Sequence, residues 1–114
     1  MNKQRSFIRP SLAIVLFAFT ALGFAQIAEG NEERAAAQYR TCAACHGLNG
    51  EGGIGPNLMG RTPEYVLSRL ISYRNGEMVG PQSSLMWGQV AQYTAEDLQG
   101  LAEYVSRLRP TIED

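Results

Sequence analysis

Residues 42–46 read Cys42-Ala43-Ala44-Cys45-His46, and this C-x-x-C-H segment decides how the rest of the chain is interpreted. Two thiols three positions apart near a helix end can reach the two vinyl groups of one haem and form thioethers, and the imidazole that follows then points at the iron. Both cysteines of the chain and its only histidine fall within these five residues. The segment therefore predicts one covalently attached haem c, bound through Cys42 and Cys45, with His46 as an axial ligand of the iron.

Three other interpretations of this segment are less favourable. A redox dithiol is expected in a strand–helix setting, and no strand-like run precedes Cys42. A structural zinc site needs a second pair of ligands, and the chain has no further cysteine or histidine. A simple disulfide would leave the histidine without a role. Haem attachment is the interpretation that uses all three side chains.

The N-terminal segment has the pattern of a secretory signal peptide. Three basic residues precede a largely apolar run over residues 12–24, and a small residue, Ala25, ends it. The sequence predicts cleavage after Ala25, or alternatively after Ala28, which leaves residues 26–114 as one domain in the periplasm. The alternative is an uncleaved anchor that holds the domain on the periplasmic face of a membrane, because no charged residue occurs in residues 10–28.

Size and charge limit the classes of partner. The chain has 114 residues and a formal net charge of −1, and removal of residues 1–25 leaves seven arginines against 11 acids, a net charge of about −4. This excess of acid disfavours nucleic acids and anionic membrane surfaces as partners. The remaining 89 residues are few for a hydrophobic core, so a bound group is expected to add stability.

Helical patterns dominate the chain, so the predicted fold class is all-α. Asn31, Thr62 and Thr94 are expected N-caps, and Asp97 stands where the acid of a capping box would. Residues 77–93 show no regular pattern and are predicted to form a loop. The three helices are expected at residues 31–40, from Thr62 to Asn75, and from Thr94 up to Pro110.

A glycine-rich stretch over residues 47–55 follows the haem motif. Residues 50–55 satisfy G-x-G-x-x-G, but no strand precedes them and Pro56 follows in place of a helix, so a dinucleotide site is excluded. We interpret the stretch as a loop whose glycines let the backbone approach a flat cofactor closely.

The order of these features resembles that of a class I cytochrome c of the bacterial monohaem kind, over residues 35–108. The resemblance rests on Cys42–Gly47, on the G-P-N-L segment Gly55–Leu58, on the segment that begins at Met86, and on Leu101–Tyr104. It implies a small fold in which about three main helices surround one covalently bound haem.

The resemblance also implies roles for residues outside the haem motif. The carbonyl of Pro56 would accept a hydrogen bond from the second imidazole nitrogen of His46 and so fix the ring. Tyr39 would lie against Tyr104 where the first and last helices cross. Ala35 stands at that crossing in place of the family's usual glycine, so a slightly looser contact is expected there.

Met86 is the expected second axial ligand. It lies eight residues before the Thr94 cap, and residues 86–94, M-W-G-Q-V-A-Q-Y-T, resemble the methionine segment of the family. Met78 and an open sixth position are alternatives, and Met59 is interpreted as a core residue on the histidine side.

One departure from the family concerns the haem propionates. Related proteins often carry an arginine shortly after the glycine that ends the second helix, whereas Gly76 is here followed by Glu77. Arg69 or Arg74 could take over this contact.

One-electron transfer is the function that this ligand set favours, because two axial ligands leave no open position on the iron. We expect a periplasmic carrier that moves single electrons between redox protein partners, since no pair of catalytic side chains is recognisable. The alternative is a dedicated electron-accepting subunit of a flavoprotein dehydrogenase, because residues 86–98 also resemble the cytochrome subunit of flavin-containing sulfide dehydrogenases. Gas sensing or peroxidase activity would need an open sixth position.

Overall fold

The computed structural model describes the backbone of residues 12–110 and the side chains of residues 27–110. The described residues form four helices and no strand, which confirms the all-α prediction. The helices are α1 (Leu12–His46), α2 (Pro63–Arg74), α3 (Ser83–Val90) and α4 (Ala95–Ser106).

The chain divides into two compact units, residues 1–30 and residues 31–114, and the hydrophobic core lies in the second. The first unit contributes the beginning of α1. The signal peptide predicted at residues 1–25 lies outside the residues described with side chains, so its cleavage stays a prediction. Among the residues described, no helix has the length and apolar character needed to cross a membrane.

The first helix is longer than the sequence predicted. Asn31 was expected to cap a helix over residues 31–40, but α1 is continuous from Leu12 to His46 and Asn31 lies inside it. An N-cap requires extended backbone, and no proline occurs between residues 11 and 46 to impose a break. As a result, both cysteines and His46 lie on the last turns of one helix.

The boundaries of α2 follow from local capping, as predicted. The Thr62 hydroxyl accepts a hydrogen bond from the Tyr65 amide at 3.2 Å, and Pro63 occupies the first turn, where its missing amide hydrogen costs nothing. The helix ends at Arg74 with Asn75 as its C-cap, and Gly76 takes the left-handed conformation, with a φ of 74°, that favours glycine.

The N-terminus of α4 has the predicted capping box. The Thr94 hydroxyl accepts from the Asp97 amide at 3.1 Å, and the Asp97 carboxylate accepts from the Thr94 amide at 3.0 Å. The helix ends at Ser106, before Pro110, yet Leu108 stays buried beyond its end.

The predicted loop over residues 77–93 contains a helix, α3, and that prediction was therefore wrong. The residue that precedes α3 makes no side-chain hydrogen bond that caps the helix. Instead the hydroxyl of buried Ser83 accepts from the amides of Val79 and Gly80 at 3.0 and 2.9 Å and donates to the Gly80 carbonyl at 2.8 Å. This turn gives α3 its start, and the helix carries Met86.

The crossing of α1 and α4 forms one side of the core. Ala35 is 2% exposed, and a Cβ added at Gly100 would lie 3.7 Å from the Ala35 Cβ. That distance is an ordinary van der Waals contact, so Ala35 packs directly beside Gly100 of α4. The Tyr39 and Tyr104 rings lie 5.3 Å apart at their centroids, as the resemblance implied. The buried core cluster comprises Tyr39, Val66, Leu101, Ala102, Val105 and Leu108.

Candidate functional site

His46 is the last residue of α1 and is 7% exposed. Its Nδ1 lies 2.8 Å from the carbonyl oxygen of Pro56. A carbonyl only accepts, so this contact assigns the ring proton to Nδ1, which donates, and leaves Nε2 free to bind a metal. The contact implied by the resemblance is therefore present, and it fixes both the tautomer and the orientation of the imidazole.

The glycine-rich loop satisfies the last carbonyls of α1 with its own amides. The Gly52 amide donates to the His46 carbonyl at 2.7 Å, and the Gly55 amide donates to the Cys45 carbonyl at 2.7 Å. Gly52 has a φ of 96°, which an L side chain rarely adopts. The loop thus returns over the helix end and brings Pro56 to the imidazole.

Gly55 lies directly against the imidazole. A Cβ added there would be 2.7 Å from Cε1 and 2.8 Å from Nδ1 of His46, closer than a carbon atom can approach. The sequence suggested that the loop glycines accommodate a flat group. Among the described residues, the flat group that requires a glycine at this position is the His46 ring itself.

Tyr39 of α1 holds the beginning of the glycine-rich loop against the helix. Its hydroxyl donates to the Gly47 carbonyl at 2.8 Å, and the side chain is buried. Burial, with smaller contributions from nearby acidic groups, raises the pKa of Tyr39 to about 12. The phenol therefore stays protonated and keeps donating over the physiological pH range.

A cavity of about 800 Å³ opens beside these residues. Both cysteines, His46 and Met86 line it, together with apolar side chains from α2 and α4. Met78 does not line the cavity and is 64% exposed, and Met59 does not line it either. The structure thus brings together five of the residues predicted for the site: Cys42, Cys45, His46, Pro56 and Met86.

The donor set and the cavity fit haem c. Cys42 is half-buried, Cys45 is exposed, and both are free thiols. Burial raises the pKa of the Cys42 thiol, so it is protonated near neutral pH. An imidazole nitrogen and a thioether sulfur complete the set, and the volume lies within the range of about 300–1,000 Å³ typical of ligand sites.

Sequence analysis did not single out two features of the cavity wall. Arg61 and Tyr65 line the cavity beside Arg69, and no aspartate or glutamate is among the residues that line it. The spacing of four positions between Tyr65 and Arg69 carries a weak signal, because such pairs share a helix face, whereas Arg61 lies just before the helix. Only the fold shows that this face is turned to the haem cavity.

Comparison with known proteins adds an independent observation. A family model described as "Cytochrome C oxidase, cbb3-type, subunit III" matches residues 25–105 of the chain. The chain belongs to the cytochrome c family. Membership implies a covalently bound haem c, for which Cys42 and Cys45 have the required spacing, and makes this cytochrome c an electron carrier rather than an enzyme.

Relatives of this cytochrome c include other cytochromes c and a cytochrome subunit of a dehydrogenase. It is 38% identical over 68 residues to cytochrome c-554(548) of Halomonas halodenitrificans, covering 58% of this chain and 82% of the relative. It is 30% identical over 76 residues to cytochrome c-553 of Nitratidesulfovibrio vulgaris, covering 64% and 74%. It is 35% identical over 69 residues to the cytochrome subunit of sulfide dehydrogenase of Chlorobaculum tepidum, covering 60% of each chain.

Proposed function

We propose that this cytochrome c carries single electrons between redox protein partners in the periplasm, with His46 and Met86 as the axial ligands of its iron. The observation that supports this proposal is that His46 on α1 and Met86 on α3 line one cavity together with both cysteines. The signal pattern of residues 1–25 supports export of a domain formed by residues 26–114.

Each residue of the site has a defined task in this proposal. Cys42 and Cys45 attach the group covalently, and when bound, haem c supplies an iron that changes its charge by one unit. His46 presents Nε2 in an orientation that Pro56 fixes. Met86 offers a neutral thioether, which favours the reduced iron and raises the reduction potential. The apolar wall excludes water, so little solvent has to reorganise when the charge changes.

The ligand assignment is tested with Met86→Ala in the purified holoprotein. We expect loss of the absorption band that arises from thioether coordination and a lower reduction potential, because the ligand that favours reduced iron is gone. Met78→Ala is the matched control and should leave both the band and the potential unchanged. A band that persists in Met86→Ala and disappears in Met78→Ala would overturn the assignment.

A second candidate role is that of an electron-accepting subunit of a flavoprotein dehydrogenase. The similarity to the cytochrome subunit of sulfide dehydrogenase favours it, although the chain spans only 60% of that relative. In such a complex the flavoprotein would carry out the chemistry, and this chain would take its electrons.

Size-exclusion chromatography of native extract, with haem and flavin absorbance followed together, separates the two roles. Haem that elutes alone, at the size of this chain, supports the diffusing carrier. Haem that co-elutes with flavin in a larger particle supports the subunit role. Haem found only in the membrane fraction would instead indicate that the N-terminal segment is kept as an anchor.

A further inference from the structure

The helix that carries Met86 begins at a serine whose hydroxyl bonds to residues that precede it. Ser83 is the first residue of α3 and is buried. Its hydroxyl accepts from the amides of Val79 and Gly80 and donates to the Gly80 carbonyl. Its own amide donates to the same carbonyl at 3.1 Å. The amide and the carbonyl of Gly80 are therefore both bonded to Ser83, which closes residues 79–83 into one turn.

This turn and Met86 belong to the same wall of the haem cavity. Val79, Gly80, Ser83 and Met86 all line the cavity. Met86 follows Ser83 by three positions, about 4.5 Å along the helix axis, so the two residues share a face of α3. A shift in the first turn of α3 would therefore move the Met86 side chain directly.

The start of α3 depends heavily on Ser83. The helix has only eight residues, and Gln82, which precedes it, makes no side-chain capping hydrogen bond. A helix of this length is marginal without outside support. The Trp87 indole donates to the Glu77 carbonyl at 3.1 Å and adds support, but this bond is exposed. The buried hydroxyl of Ser83 competes less with water and so fixes the helix more firmly.

We propose that Ser83 is a positioning residue for Met86, whose hydroxyl holds the first turn of α3 and so keeps the sixth position of the oxidised iron closed to outside ligands. This inference rests on the proposed function, because it requires Met86 as an axial ligand. A thioether favours the reduced iron, so its bond to the oxidised iron is the weaker of the two. In the oxidised state the position of α3 has to keep the sulfur in place.

The test measures binding of imidazole to the oxidised holoprotein by absorption spectroscopy. Neutral imidazole takes the place of the neutral Met86 sulfur, so no electron is transferred. Because only the open form binds, the apparent affinity is proportional to the fraction of molecules in which Met86 is displaced. In Ser83→Ala we expect imidazole to bind about five- to tenfold more tightly, the range that one or two lost hydrogen bonds produce. Ser83→Thr keeps the hydroxyl and should bind imidazole less tightly than Ser83→Ala.

Two matched controls separate positioning of Met86 from general destabilisation. Ser84→Ala removes an exposed hydroxyl from the same turn of α3 and should match the wild type. Thr94→Ala removes the hydroxyl that caps α4 outside the cavity, so it should lower the free energy of unfolding in urea without raising the affinity for imidazole. Equal affinities in Ser83→Ala and the wild type, or an equal rise in Thr94→Ala, would overturn the proposal.

The thioether band distinguishes failure of this inference from failure of the proposed ligands. A band that persists in Met86→Ala would remove the ligand assignment and this inference with it. If Met86→Ala loses the band, the assignment stands, and the imidazole affinities decide the role of Ser83 alone.

A measurement on the wild type applies if Ser83→Ala does not take up haem. Amide hydrogen exchange is followed by nuclear magnetic resonance in the oxidised holoprotein, with and without saturating imidazole. We expect the amides of Val79 and Gly80 to exchange about fivefold or more faster when imidazole is bound, because displacement of Met86 and opening of the turn are coupled in both directions. The Asp97 amide, bonded to the Thr94 hydroxyl, is the control and should not change. Unchanged exchange at Val79 and Gly80 would overturn the proposal.

Discussion

Replacement of Asp97 by asparagine should destabilise the holoprotein strongly, because this buried carboxylate joins α1 to α4. One carboxylate oxygen, Oδ2, accepts from the Thr94 amide at 3.0 Å. The other, Oδ1, accepts from Gln38 Nε2 at 2.9 Å and from Arg34 Nε at 2.8 Å. The side chain is 5% exposed, so water cannot replace these contacts. Asparagine has one acceptor oxygen and one donor nitrogen, and in either orientation an N–H group would face another N–H group.

The expected loss is about 2–3 kcal/mol of the free energy of unfolding. A buried donor left without an acceptor costs about 1–3 kcal/mol, and hydrogen bonds to a charged group lose strength when the charge is removed. For a domain of this size, about 1 kcal/mol corresponds to 4–8 °C in Tm. Arg34 is 63% exposed on its side chain, so Arg34→Gln should cost less than about 1 kcal/mol. Most of the loss therefore comes from the buried hydrogen bonds.

The effect should depend on pH in a defined direction. Burial alone would raise the pKa of Asp97, but hydrogen bonds from Thr94 and Gln38 and the charge of Arg34 outweigh it and hold the pKa below its ordinary value of 3.8. The unfolded state therefore binds the proton first as pH falls, and the contribution of Asp97 to stability is lost as pH falls through its folded pKa. The difference between wild type and Asp97→Asn should be constant from pH 7 to about pH 5 and shrink below about pH 4.

Urea unfolding of both holoproteins between pH 3 and pH 7, followed by circular dichroism, measures this difference. Glu96→Gln is the matched control, because Glu96 precedes Asp97 on the same helix turn and is exposed. It should change the free energy of unfolding by less than about 1 kcal/mol. An Asp97→Asn variant as stable as Glu96→Gln at pH 7, or a difference that grows on acidification, would refute the reasoning.

Two further substitutions test the histidine side of the site. Gly55→Ala should lower the yield of holoprotein and perturb its haem absorption spectrum, because the new Cβ would lie 2.7 Å from Cε1 of His46. Gly88→Ala is the control, because no atom lies within 4 Å of its added Cβ, and it should leave the spectrum unchanged. Equal spectra for both variants would contradict this account. Tyr39→Phe removes the hydrogen bond to Gly47 and should cost about 1 kcal/mol in urea unfolding, and an unchanged midpoint would show that the phenol does not hold the loop.

Sequence alone predicted the helix starts that depend on a single side chain. Thr62 and Thr94 cap their own helices, and the capping box of Asp97 spans four residues, so the neighbouring sequence contains the whole signal. The other partners of Asp97 were missed. Gln38 is 59 positions away, and its approach depends on the crossing of α1 and α4.

The errors in helix prediction have local causes as well. Asn31 has a side chain suited to an N-cap, but α1 begins before it and continues through it without a break. The helix α3 has only eight residues, no side-chain N-cap and a glycine at position 88, so its sequence pattern is weak. Its start depends on Ser83, which binds amides that precede it, and this direction is opposite to that of an ordinary N-cap.

The residues of the site also divide into those that a local sequence pattern identifies and those that depend on the fold. The C-x-x-C-H spacing is local, and it identified the cysteines and the histidine directly. The contact of Pro56 with His46 came from the resemblance, because spacing alone does not show how the loop returns. The placement of Arg61 and Arg69 over the Tyr65 ring was not anticipated, although Arg69 had been considered for a propionate.

The loop that fixes His46 also bears on the order in which the site assembles. Its hydrogen bonds, from Tyr39 to Gly47 and from His46 to Pro56, join residues only eight and ten positions apart. Closing such short loops costs little chain entropy, and local contacts form quickly. Met86 belongs to a separate helix 40 positions further along and has to be brought in by tertiary packing. The histidine half should therefore form early in folding and outlast the methionine half when the protein is heated.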